Sequence, residues 1–92
     1  MEAEGIRILE EFTGDGLGGS YMLTVCAVTD EEHKGHRSYG ICIRLGERQA
    51  AVADLSPNRE AVRELAARCA RGDAVPEQLP ELAEDFLAVL YG

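Results

Sequence analysis

Hydrophobic and polar positions change period once along this chain. The change falls at Val52-Ala53-Asp54-Leu55-Ser56-Pro57-Asn58. Before it apolar residues alternate, and after it they recur every three or four positions, which predicts strands followed by helices. Tyr21 to Thr29 (YMLTVCAVT) is the clearest strand, with Tyr21, Leu23, Val25 and Ala27 on one side and Met22, Thr24, Cys26 and Val28 on the other. Both sides are largely apolar, as in a central strand. Ser38 to Leu45 turns Tyr39, Ile41, Ile43 and Leu45 one way and Gly40, Cys42 and Arg44 the other. In Gly5 to Thr13, Ile6, Ile8 and Phe12 share a parity that Glu10 interrupts, with Leu9 opposite. That suits an edge strand, where an inward charge blocks further pairing. Gly46-Glu47 reads as a two-residue type II′ turn, glycine first, leading into a last strand over Arg48 to Leu55.

Ser56 is placed to cap the first helix, and Pro57 suits its first position, where no N–H is needed. Val62, Leu65, Ala66 and Cys69 form its apolar stripe, with Ala61 beside them, and Gly72 is a stop signal. Glu64 and Arg68 are spaced as a favourable i, i+4 pair. Asp73 to Leu79 is a connector carrying Pro76. From Pro80 the pattern is helical again, with Leu79, Leu82, Ala83, Phe86, Leu87 and Leu90 on one stripe. The expectation is one α+β domain over residues 1–92: a four-stranded antiparallel β-meander within about 5–55, then two C-terminal α-helices within about 57–91, packed on one face.

Composition narrows the function classes. Apolar residues make up 46% of the chain and aromatics 5%, with no Trp, so the core is aliphatic and alanine-rich. The net charge of −8 is segregated. Residues 1–32 hold eight acids and one base, residues 33–72 eight bases and four acids, and residues 73–92 five acids and no base. Acidic ends and few aromatics argue against nucleic acid as a partner. The basic middle suits a partner with acidic groups, including the acidic end of a second copy. Cys26, Cys42 and Cys69 are an odd number without CxxC spacing, which fits a reducing compartment rather than a disulfide framework. The first residues lack the pattern of a signal peptide, and no stretch is apolar enough for a membrane helix. A soluble, cytoplasmic protein without a membrane partner is expected.

Candidate chemistry is sparse. Gly14 to Ser20 (GDGLGGS) carries four glycines, but a phosphate cradle needs a helix directly after it, and a strand pattern follows. It reads as a hairpin loop. His33 and His36 sit among acids in a polar loop and read as a solvated hairpin tip. If that hairpin turns near Lys34, Cys26 and Cys42 come opposite one another, either as ordinary cross-strand packing or as a thiol, metal or small-ligand site completed by His33. Asp54 is best placed to accept backbone N–H groups near the helix start or to pair with an arginine. No catalytic constellation, cofactor site or firm metal site emerges. Two helices cover one sheet face well, which leaves Met22, Thr24, Cys26, Val28 and Cys42 as a partly apolar open face. Such faces commonly serve a homodimer or another protein partner.

The ordered set Tyr39-Gly40-Ile41, Asp54-Leu55-Ser56-x-Asn58, the Val62 to Leu65 helix and Leu79-x-x-Leu82 with Glu84-Asp85-Phe86-Leu87 resembles a family of small bacterial domains of unknown function. The likeness runs from about Ile6 to Leu90. It implies a small cytoplasmic α+β protein and supplies no catalytic residues. The chain departs from that pattern in its alanine- and arginine-rich first helix and in Pro76 and Pro80.

Overall fold

The computed structural model describes residues 6–28 and 36–91. Strands β1 (Ile6–Thr13), β2 (Ser20–Val28), β3 (His36–Leu45) and β4 (Arg48–Ser56) form one antiparallel sheet in chain order. Helix α1 (Arg59–Arg71), a 3-10 turn at Pro76–Gln78 and helix α2 (Leu79–Tyr91) follow. The meander and helix pair are those the hydrophobic periods predict.

Alternation on β2 and β3 places the core. Tyr21, Leu23, Ile41 and Ile43 point to one side and are 0% exposed. They meet Val62, Leu65, Ala66 and Cys69 of α1, and Leu79, Ala83 and Phe86 of α2 complete the same buried cluster. Burying each large aliphatic side chain contributes roughly 1.5–3 kcal/mol. The β3–β4 hairpin closes at the Leu45–Arg48 pair. Gly46 takes φ 62° and Glu47 does not take a positive φ, as a type II′ turn requires.

Both ends of α1 and the pairing of β1 differ from the sequence expectation, each for a local reason. Asn58, not Ser56, caps α1, its side chain accepting the Ala61 N–H at 3.1 Å. Ser56 ends β4, and its Oγ accepts the Asn58 N–H at 3.0 Å, so Pro57 lies in the turn before the helix. At the other end, the Ala74 N–H reaches the Cys69 carbonyl and the Asp73 N–H reaches the Ala70 carbonyl. This is the Schellman pattern, with Asp73 rather than Gly72 at the left-handed position, φ 52°. In β1 the pairing slips between Ile8 and Glu10. The bulge at Leu9 reverses the strand's faces, so Leu9 and Phe12 pack on the core while Ile6 and Ile8 turn outward. Glu10 then points toward α1 and accepts from Arg63 Nε at 2.6 Å.

Candidate functional site

The register lays out the face away from the helices row by row. Cross-strand partners share a face. One row runs Glu11, Met22, Cys42, Ala51; the next runs Ile8, Thr24, Gly40; then come Ile6, Cys26 and Ser38. Ile6 is 50% exposed and Ile8 61%. Met22, Cys26 and Cys42 are half-buried. The face is an apolar strip with nothing packed on it among the described residues.

One part of it is closed by the chain itself. Between the pairs Tyr39–Ser56 and Ile41–Val52, β4 takes four residue steps where β3 takes two. The surplus backbone rises over Gly40. A Cβ there would lie 2.0 Å from the Val52 carbonyl oxygen and 2.7 Å from that of Ala53, so only glycine fits. Thr24 and Ser38, beside this bulge, are 6% and 3% exposed. Thr24 therefore does not belong to the accessible strip on which the sequence pattern placed it. Ser38 Oγ donates to Asp54, and Cys26 Sγ donates to the Ala53 carbonyl at 3.5 Å. Asp54 thus fastens the bulge rather than the helix start. Burial first, and then the Asp54 carboxylate, push the Cys26 thiol above its ordinary 9.0. That makes it a poor nucleophile at neutral pH.

The thiol or metal site is not assembled. Cys26 pairs with Ser38 and Cys42 with Met22, so the hairpin centres near position 32 rather than at Lys34. Cys26 and Cys42 share a face but stand four residues apart along the strands, roughly 13 Å. His33 lies outside the described residues, as do the side chains of Val28 and His36. Among the described residues no group of three His, Cys, Asp or Glu could hold a metal ion.

The glycine loop does bind an anion, and the anion is the chain's own. The Gly16 N–H donates to both Asp73 carboxylate oxygens at 3.1 Å, and the Leu17 N–H to Oδ1 at 3.0 Å. A Cβ at Gly14 would come within 2.5 Å of that carboxylate, and one at Gly16 within 2.8 Å. Asp73 tolerates the left-handed conformation better than most residues, and these bonds offset what strain is left. Beneath it, Tyr21 Oη donates to the Ala74 carbonyl at 2.6 Å. Burial, and next Asp73, raise the Tyr21 phenol above 10.0. A latch between the β1–β2 loop and the end of α1 thus occupies the place the sequence offered as a phosphate cradle.

The helix side carries a shallow groove of about 370 Å³ between α1 and α2, lined by Ala61, Leu65, Leu82, Phe86, Val89 and Leu90, and a second of about 330 Å³ beside Cys69, Gly72 and Gln78. Glu64, Arg68 and Asp85 edge the first, and among the described residues none of the three forms an ion pair, the Glu64–Arg68 spacing notwithstanding.

Two of these features escaped the sequence pattern. Ile6 and Ile8 were hidden by the Leu9 bulge, for which the broken alternation at Glu10 was the signal. The Asp73 latch joins positions 57 residues apart, and no local pattern marks it. Gly40 inside a strongly apolar strand was a readable sign of a bulge or close backbone approach.

Fold and surface together define a small α+β protein: an antiparallel meander with helices on one face and an apolar strip on the other. The chain belongs to the family of unknown function DUF6514, whose model matches residues 4–89. No curated protein and no solved structure matches it.

Proposed function

We propose that this protein is a non-enzymatic interaction module of the bacterial cytoplasm that self-associates through the open face of its sheet. The observation that carries the reading is the strip of Ile6, Ile8, Met22, Cys26 and Cys42, apolar and, among the described residues, unopposed, on the face the helices leave bare. Ile8 stands 61% exposed beside Ile6 at 50%, and covering them removes apolar surface from water. The cytoplasmic assignment is supported by three free thiols. Sedimentation equilibrium from micromolar to millimolar protein tests the reading. A concentration-dependent dimer is expected, weakened at least tenfold by Ile8→Glu. A monomer throughout that range rules self-association out.

A further inference from the structure

We propose that the Asp15–Gly16 peptide is a latent isomerisation site, and that Asp73 guards it by holding the Gly16 N–H. The site does not depend on self-association.

The sequence supplies the reactive pair. Where glycine follows aspartate, the glycine nitrogen reaches the aspartate carboxyl with no Cβ in the way. Asp15–Gly16 is the one Asp-Gly pair in the chain. Both residues are exposed, on a loop closed at its neck by the Gly14 N–H on the Gly19 carbonyl at 2.9 Å. Among the described residues the Asp15 carboxylate has no hydrogen bond or ion pair, so none of them restrains it from turning back on the Gly16 nitrogen.

The latch forces glycine onto position 16, because a Cβ there would lie 2.8 Å from Asp73 Oδ2. The residue type that admits Asp73 is therefore the one that makes Asp15 reactive, and the same contact opposes the reaction.

In that reaction the Gly16 nitrogen bonds to Cγ of the protonated Asp15 carboxyl. The amide proton and the carboxyl hydroxyl leave together as water, and a succinimide ring remains. Water then adds back at either imide carbonyl. Opening on one side restores the ordinary peptide. Opening on the other leaves the main chain running through the Asp15 side chain, one methylene longer. The water lost is regained, and no other reactant is needed.

The nitrogen attacks only as it gives up its proton. In the fold that N–H donates to both Asp73 oxygens, each at 3.1 Å, and the Leu17 N–H on Oδ1 at 3.0 Å fixes the next peptide. Losing the proton would set a negative nitrogen against a carboxylate, and a neighbouring like charge disfavours ionisation. The nitrogen must also turn from Asp73 toward Asp15, which breaks bonds to a charged acceptor. In an exposed loop these effects together slow the reaction about fivefold or more. The isomer, with its longer main chain, carries the Gly16 N–H away from Asp73, so the modification releases the latch that restrained it.

Ageing the protein tests this. Wild type, Asp73→Gly and Asp73→Asn are held side by side at mildly acidic pH, and isoaspartate is counted by peptide mapping with electron-transfer fragmentation. Glycine and asparagine both accept the left-handed backbone at position 73, and circular dichroism checks that each variant is folded. Isoaspartate at position 15 is expected to form at least about fivefold faster in Asp73→Gly, with Asp73→Asn between it and wild type. Asp54 and Asp85 in the same digests should not change. Gly16 amide hydrogen exchange, which needs the same proton loss, should quicken alongside. Equal rates at Asp15 in wild type and both variants overturn the proposal. So does a rise shared by Asp54 and Asp85, which marks general loosening, and so does faster Gly16 exchange without faster isomerisation.

Discussion

On the helix side of β2 and β3, Tyr21, Leu23, Ile41 and Ile43 are wholly buried; on the other side of the same strands Met22, Cys26 and Cys42 are half-buried, and Ile8 on β1 is 61% exposed. The two faces differ in what closes them. Side chains from α1 and α2 close the first. Among the described residues the second is closed at one place, by backbone, where β4 rises over Gly40. A side-chain closure needs large apolar residues, and a backbone closure needs small ones, which is why Gly40, Ser38, Thr24 and Cys26 gather on the open side. The first kind of closure is stated by hydrophobic period. The second is stated by a single glycine.

The backbone closure is the more brittle. Gly40→Val should cost at least about 4 kcal/mol, since the added atoms meet backbone carbonyls that cannot move aside. Urea unfolding measures it, and a loss below about 1 kcal/mol would mean that the β4 bulge does not press on Gly40. Next comes a paired test of the two faces. Leu23→Ala should lose about 3 kcal/mol. Ile8→Ala should lose under about 0.5 kcal/mol at protein concentrations where the chain is monomeric. Equal losses would erase the distinction between a closed and an open face. Asp73→Asn keeps a residue that tolerates the left-handed turn but removes the charge held by the Gly16 and Leu17 N–H groups, and should cost about 1 kcal/mol.

A pH series separates the faces more finely. Burial raises the thiols of Cys26 on the open face and Cys69 in the core above 9.0, and the Tyr21 phenol above 10.0. These groups ionise more readily in the unfolded chain, so their stabilising contribution is complete below pH 9 and is lost as pH rises through the raised folded values. Urea midpoints should therefore fall on the alkaline side of pH 9, and less steeply in Cys69→Ala than in the wild type.

The strand and helix order was legible because each element keeps its own period over a full length, and the same holds for the apolar stripes of α1 and α2. The open face was legible in outline, since alternation on β2 and β3 assigns Met22, Cys26 and Cys42 to it. What alternation could not show are the places where it breaks. The Leu9 bulge put Ile6 and Ile8 on the strip, and the β4 bulge took Thr24 off it. Cys26 and Cys42 looked like partners only under a hairpin centred two residues too late. Asp54 and Asp73 act on residues remote in sequence, Ser38 and the glycine loop, and short-range spacing carries no record of such pairs.

The most direct measurement uses the thiols as reporters of the two faces. Alkylation rates of Cys42 on the open strip and Cys69 in the core are followed by mass spectrometry as protein concentration rises from micromolar to millimolar. Cys42 labelling is expected to slow severalfold across that range, while Cys69 labels slowly throughout. A Cys42 rate that does not change with concentration would contradict self-association through the open strip.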